Sequence, residues 1–350
     1  MNSEREQTQQ KRAESIDFVR LWREICVFFA VGSTRLAIFG LICTLSVGIS
    51  VAQNEPQFSG AFAMPTVVNP AAAGRSGLLE VGAAFRQQWV GFDDSPSNFL
   101  LSVDSEMKFL KNFHGVGVVV LQDKVGPQTV LDMGANYSYH IYLNDGILGL
   151  GLRAGARNVK YEAGELTTAV PGMTDDYHQE TDAVLQSVDD SQTAFDVGLG
   201  GFYQTEKCYL SLSFLHLTSP ELEMKNGARY KVRPFMTFGA GMIMGKYIKD
   251  KALEPRVNLK TDFASMQIEM SLNAIIKQKV WFGLGWRLQD ALLVGAGVRL
   301  PMGLDLSYNY DVSLSSLRRY NSGSHELSAR YQLNLDRERA TKTYKSVRIL

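Results

Sequence analysis

Five histidines, His114, His140, His178, His216 and His325, are the groups best suited to acid–base or ligand chemistry near neutral pH. Ser213 and His216 stand three apart, a spacing that invites a nucleophile and its base. On a regular strand, however, residues three apart project from opposite faces, so this pair would form no dyad. Asp132 or His140 could find a partner on another strand, but lining a polar interior is the simpler role for both. The sequence has no His-x-x-x-His and no Cys-x-x-Cys, the spacings that hold a metal on one face or in one loop. Gly149-x-Gly151 and Gly295-x-Gly297 are not phosphate loops. They lie inside strand-like runs, where glycine marks curvature or the close approach of another backbone. Asp175, Asp176, Glu180, Asp182, Asp189 and Asp190 form an acidic stretch whose spacing matches no calcium loop, so it reads as a solvated loop. These residues point to no enzyme, no cofactor and no metal.

The elements that carry them are extended. In residues 304–312, Leu304, Leu306, Tyr308, Tyr310 and Val312 fall on one side, and Asp305, Ser307, Asn309 and Asp311 on the other. This period of two suits a strand and no helix. The same pattern recurs over 79–86, 98–104, 115–122, 131–141, 148–157, 195–204, 208–215, 232–246, 256–260, 266–274, 280–287, 291–300 and 326–335. About fourteen strands are predicted, with a hairpin at Asn144-Asp145-Gly146.

The two faces decide the solvent. The polar face carries Asp132, Arg153, Arg157, Glu269, Arg287, Arg299, Asp305 and Arg330. Unpaired charges would cost several kcal/mol in a dry core. The other face is rich in Leu, Val, Tyr, Phe and Met on nearly every strand, which a single soluble sheet would show to water. An antiparallel transmembrane β-barrel resolves both, with apolar side chains towards lipid and charged ones towards the lumen. Tight connections at 144–146, 205–207, 277–279 and 301–303 interleave with long ones at 160–192, 218–230 and 313–323, as short inner turns and long outer loops would. Closure follows because an open sheet edge in hydrocarbon leaves donors and acceptors unpaired. The strand near Leu79 should therefore pair with the one near Tyr331, and an even strand number puts both ends of the wall on the inner side. Trp89, Trp281 and Trp286, with tyrosines near strand ends, read as an interfacial girdle. A soluble exported sandwich is the competing fold.

Composition agrees. The 350 residues hold 36 basic and 36 acidic groups, so neither nucleic acid nor a polybasic membrane anchor is indicated. Thirty-one glycines and ten prolines suit many tight turns. Of Cys26, Cys43 and Cys208 only the last lies beyond the leader, which leaves no internal disulfide. Arg35 precedes an apolar run over 36–52 that ends Ser50-Val51-Ala52, the form of a cleaved secretory signal. Residues 1–34 are too long and too polar for an ordinary start of such a signal, and translation is expected to begin nearer Val31. The chain thus divides into a leader (1–52), an N-terminal segment that lies in or against the sheet and can plug it (53–77), the barrel (78–335) and a basic tail (336–350) expected in the periplasm. Pro56, Pro65 and Pro70 exclude a regular helix from the second of these.

Several motifs in order resemble one family. They are Pro56-Gln57-Phe58-Ser59; Asn69-Pro70-Ala71 with Gly74; Arg86-Gln87-Gln88-Trp89-Val90-Gly91-Phe92 with Pro96; and Leu212-Ser213 with His216-Leu217 and Pro220. Trp286-Arg287 with Asp290-Ala291, the run Tyr308 to Asp311, and Ser322-Gly323-Ser324-His325-Glu326 follow. Together they resemble the PorP/SprF family from about Gln53 to the C-terminus. Ser59-Gly60-Ala61 lacks a usual aromatic, and Ser211 replaces a usual glycine. The resemblance implies a non-enzymatic outer-membrane component of type IX secretion and gliding motility. Its partners would be secreted proteins with a C-terminal sorting domain or surface adhesins, periplasmic type IX secretion subunits and outer-membrane lipid. The alternative from a different class is a passive outer-membrane channel or a transporter of hydrophobic substrates.

Overall fold

The computed structural model describes residues 55–60, 64–92, 94–109, 112–143, 146–162, 189–224, 229–245 and 251–334. The leader, most of the acidic stretch including His178, and the basic tail lie outside the described residues. In chain order the strands are β1 (Leu79–Gln87), β2 (Ser97–Phe109), β3 (Asn112–Val125), β4 (Gln128–Leu143), β5 (Gly146–Tyr161), β6 (Asp190–Thr205) and β7 (Cys208–Leu215). A short hairpin, β8 (Glu221–Glu223) and β9 (Arg229–Lys231), follows. Then come β10 (Phe235–Met242), β11 (Met244–Gly245), β12 (Lys251–Thr261), β13 (Met266–Ile276), β14 (Val280–Arg287), β15 (Ala291–Arg299), β16 (Leu304–Ser313) and β17 (Ser324–Leu333).

Each wall strand pairs antiparallel with its neighbours, β7 bridges to β10, β10 to β12, and β1 closes on β17 with Val81 opposite Tyr331. The result is a closed barrel of 14 strands. Closure leaves no strand edge to be satisfied by lipid. Where 256–260 reads weakly, β12 runs longer. Its Pro255 cannot donate to a ladder, and it falls in the gap where β10 stops pairing at Arg256 and before β11 resumes at Leu253.

Alternation sets the faces as expected of a membrane wall. Leu284 is 67 % exposed, Phe195 63 % and Leu152 53 %. The largest fully buried side chains include Arg86, Arg157, Arg287, His216, Glu254 and Glu326. A water-soluble domain has the reverse distribution.

The two ends of the barrel differ. At one, β4–β5, β6–β7, β13–β14 and β15–β16 meet in short turns, and the wall begins at Leu79 and ends at Leu333. The other bears the long connections after β5, β7 and β16. It also bears three short ones, at Gly126-Pro127, 262–265 and 288–290, so the expected alternation of lengths is not strict. The β8–β9 hairpin folds back at this loop-bearing end, where Leu222, Met224 and Tyr230 pack on Val130 and Val159.

Residues 55–60 and 64–77 run through the interior. Two three-residue 3-10 turns, Pro65–Val67 and Pro70–Ala72, each begin on a proline, the one helical position where its missing N–H costs nothing. The Asn69 side chain caps the second by accepting from the Ala71 N–H at 2.9 Å. Apolar packing here falls in two clusters: Phe58, Met64 and Val67 against Ala84, Leu100 and Val119 of the wall, and Ala71 and Ala72 against Phe202.

Candidate functional site

The interior segment is held in three places. At the loop-bearing end, Glu55 meets Arg157 at 2.6 Å and His216 Nε2 at 2.9 Å. His216 Nδ1 lies 2.7 Å from Asp196, and Arg157 Nε 3.7 Å from Asp132, which also binds Arg153 at 2.6 Å. Asp132 and Arg157 face each other across β4 and β5, so the register itself sets the pair. Burial alone would push the His216 imidazole down. Glu55 and the hydrogen bonds to Asp196 and Glu55 outweigh it, and its pKa is pushed up to about 9. Burial likewise opposes the Glu55 carboxylate, but Arg157 and His216 hold it well below the usual carboxylate range. Asp132, Asp196 and His216 bring one ligand-type atom each within 4.8 Å of one another. The Arg157 guanidinium lies against that group, so the chain supplies the positive charge itself.

The second place is a node around Ser59. Its N–H donates to Glu326 at 2.7 Å and its hydroxyl to Asp311 at 2.8 Å, while the Gly60 N–H donates to Glu326 at 2.6 Å. Arg86 and Arg287 reach Asp311 at 2.6 and 2.9 Å, and Arg287 also binds Glu269 at 2.8 Å. Arg86 faces Glu326 across β1 and β17, and Glu269 faces Arg287 across β13 and β14. Charges this deeply buried are tolerable only in such pairs.

The third place is the wall of β3–β7. Asn136 donates to the Thr66 carbonyl at 2.9 Å, Arg153 to Val67 at 3.1 Å, Ser213 to Val68 at 2.6 Å, Ser138 to Ala71 at 2.9 Å and His140 to Ala73 at 3.0 Å. The Asn69 amide donates to the Gly201 carbonyl at 3.0 Å and to Ser211 at 2.8 Å, and the Gly74 N–H donates to Asp104 of the neighbouring β2 at 2.8 Å. Glycines form the floor. A Cβ at Gly115 would land on the Ala73 carbonyl, one at Gly149 or Gly151 on Ala71, and one at Gly200 on the Asn69 side chain.

The charged positions expected to face the lumen are accounted for in these contacts or on the opposite wall. There Asp305 joins Arg299 of β15 at 2.8 Å and Arg330 of β17 at 2.5 Å. A cavity of about 60 Å³ lies beside Ser59 and Met64, lined by Trp281, Asn273, Asn309 and Arg330 among others.

The motif residues also find places. Phe58 anchors the apolar cluster, and Pro56 and Gln57 flank the span from Glu55 to Ser59. Asn69 and Pro70 form the capped turn, and Gly74 takes φ +68°, a conformation other residues resist. Arg86 and Arg287 belong to the Ser59 node. Beyond β1, the Gln88 N–H donates to Pro96, the Trp89 N–H to Ser324 at 3.2 Å, and Gly91 passes the backbone of Asn321 at φ +114°. Phe92 is exposed beside it. Trp286 and His325 point outward, and His325 accepts or donates to Tyr308 at 2.6 Å beside the Tyr310 ring.

Two expectations need correction. Ser213 and His216 are not on opposite faces. β7 ends at Leu215, and His216 adopts φ +56°, which turns it inward as well. The two still do not pair, since Ser213 bonds Val68 and Thr237 while His216 bonds Asp196 and Glu55. Trp281 is not a girdle residue. It faces inward against Ile243, Ala252 and Ile275 and over Gly295 and Gly297.

Sequence reasoning did not single out Glu55, Asp196, Asp311 or Glu326 as site residues. Asp311 shares the polar parity of Asp305, and Glu326 that of Arg330, so the alternation held the signal for both. Nothing in the sequence marks Glu55.

The barrel is similar in fold to several solved structures. The CymD monoaromatic hydrocarbon channel matches at 12% identity and TM-score 0.46, over 82% of this chain and 96% of that one. The Ralstonia pickettii toluene transporter TbuX matches at 12% and 0.45, over 77% and 92%. The Acinetobacter baumannii outer membrane protein Omp33 matches at 7% and 0.41, over 73% and 98%. No curated protein matches the sequence. The model of the type IX secretion system membrane protein PorP/SprF matches residues 50–331, a span that takes in all three holding points and every strand of the wall but its last two residues. With its outer-membrane type of barrel, this chain belongs to the PorP/SprF family.

Proposed function

We propose that this outer-membrane component of type IX secretion acts by binding. It anchors secreted surface proteins or adhesins that carry a C-terminal sorting domain, and it meets periplasmic subunits of the system at its turn-bearing end. One observation supports the reading most. The lumen is occupied by residues 55–60 and 64–77 of the same chain, bonded to both walls, so the barrel offers surfaces rather than an open path. Two cavities flank the segment, of about 60 and 50 Å³, each with room for a few waters. The test is crosslinking in intact cells followed by identification of what copurifies. Recovery of secreted surface proteins is expected, and recovery of none would overturn the reading. A passive channel or a hydrophobic-substrate transporter would need the segment to leave. Steady open-pore currents from the whole chain in liposomes would favour that alternative. The tail lies outside the described residues. Deleting 341–350 should reduce capture of periplasmic partners, and unchanged capture would remove it from the binding role.

A further inference from the structure

The contacts of the interior segment are unlike those of a folded core. Five side chains of the wall, Asn136, Ser138, His140, Arg153 and Ser213, donate to five backbone carbonyls of the segment. A backbone carbonyl is the same on every residue. These bonds therefore read the path of a chain and not its side chains, as a strand-binding groove does. Selection comes from space instead. Ala71, Ala72 and Ala73 are almost wholly buried: glycine at 115, 149 and 151 lies against the backbone of Ala73 and Ala71, and Ala71 and Ala72 pack on Phe202. Only the smallest side chains fit there. Two positions are read directly: the Asn69 amide meets Gly201 and Ser211 while its oxygen caps the turn, and the Thr66 hydroxyl donates to Asp104 at 3.0 Å. The segment joins the wall at one end only, through Gly74 and Gly77 at φ +68° and +69°. Its other end is held by ion pairs near the loop-bearing mouth.

We propose that the inner wall of β3–β7 is a peptide-binding groove, filled here by the chain's own residues 66–74, and that its exchange partner is a peptide segment of a secreted protein with an asparagine–proline start followed by three small residues and a glycine. This rests on the binding role proposed above and gives it a site. The resident segment is then a built-in competitor. It keeps the groove closed until a chain that makes the same carbonyl contacts replaces it. Strands and side chains on the β12–β17 wall, which border the segment around Ser59 and Met64 and, through β12, around Phe58, Pro65 and Val68, stay in place during the exchange.

The test uses the full chain with a protease site inserted between Ser76 and Gly77. The protein is folded in detergent, cut, and offered a fluorescent peptide of residues 55–77. Exchange into the cut barrel is expected, as is exchange of an unrelated peptide that keeps only the asparagine–proline start and small residues. A peptide with Ala72→Leu should bind about ten- to hundredfold more weakly, since overpacking of a tight site costs that much. Failure of the labelled peptide to enter, or equal binding of the Ala72→Leu peptide, would overturn the groove. A barrel lacking residues 55–77, if it folds, should bind the same peptides without cutting, and a folded one that binds none also counts against the proposal. Capture of secreted proteins by the uncut chain in cells is measured separately. Peptide exchange without such capture would keep the groove and discard the anchoring role, and capture without exchange would do the reverse.

Discussion

Glu55 and Arg157 stand 102 residues apart in sequence and 2.6 Å apart in the barrel. The first belongs to the interior segment and the second to β5, so one ion pair joins the occupant to the wall. Arg157 is buried and the Glu55 side chain 13 % exposed, and Asp132, Asp196 and His216 complete the group.

Removing one member of this group should cost more than removing several. Arg157→Met leaves Glu55 and Asp132 facing each other without their shared cation, and a buried pair broken from one side loses about 3–5 kcal/mol. Unfolding by denaturant in detergent should show that loss. Adding Glu55→Gln to the same chain should recover a large part of it, because Asp132 keeps Arg153 and Asp196 keeps His216, so no uncompensated charge remains. Equal stability of the single and double variants would mean that the pairs are solvated.

The same group sets a pH window. The His216 pKa is raised from the usual 6.5 to about 9, so its contribution is complete below 6.5 and is lost as pH rises through 9. That of Glu55 is lowered, so its contribution is complete above the usual 4.5 and is lost as pH falls well below it. The outer hold on the segment should therefore be strongest between these limits. In planar bilayers, the closed fraction of the whole chain should drop near pH 9. His216→Gln should lack that step, while every other titrating group is common to both proteins. A step of the same size in the variant would assign it to those other groups.

Glycine substitutions test the fit of the segment to the wall. Gly115→Val places side-chain carbons where the Ala73 carbonyl lies. The wall strand itself favours a β-branched residue, so the barrel should form and the segment should be displaced. Residues 55–77 should then be cut by protease at least about tenfold faster, the ratio for 1.4 kcal/mol of lost holding energy. Gly201→Ala is the control, since nothing lies within 4 Å of a Cβ there. Similar cutting of the two variants would show that the segment does not press on the wall.

How much of this could be read beforehand follows from what period-2 patterning encodes. It marks a strand and its two faces, so Asp132, Arg153, Arg157, Glu269, Asp305 and Arg330 could be assigned to one side with no knowledge of partners. It also placed β7 and β14 with their observed ends. It does not encode what fills the space between walls. The path of Glu55 to Gly77 depends on many weak side-chain-to-carbonyl bonds from distant strands, and those leave no periodic trace. His216 escapes the alternation because β7 ends at Leu215, one residue before it, and the backbone turns there at φ +56°. Trp281 was misplaced because a tryptophan near a strand end was weighed by type, although its parity matches that of Arg287, which faces inward.

Trp281 and Trp286 make that parity measurable. Trp286 is 45 % exposed on the outer face, whereas Trp281 packs inside against Ile243 and Ile275. In liposomes of brominated lipid, a chain keeping only Trp286 should lose most of its fluorescence, and one keeping only Trp281 should keep most of it, because the quencher acts over a few ångströms. The outer face should also reject charge by depth. Leu284→Arg, at mid-strand, should cost about 2–4 kcal/mol, while Thr193→Arg, near the loop-bearing end, should cost about 0–1 kcal/mol. Quenching of both tryptophans together with equal costs at both positions would mean that the wall does not separate lipid from an enclosed interior, and the segment from Glu55 to Gly77 would then lie in a different environment from the one its bonds require.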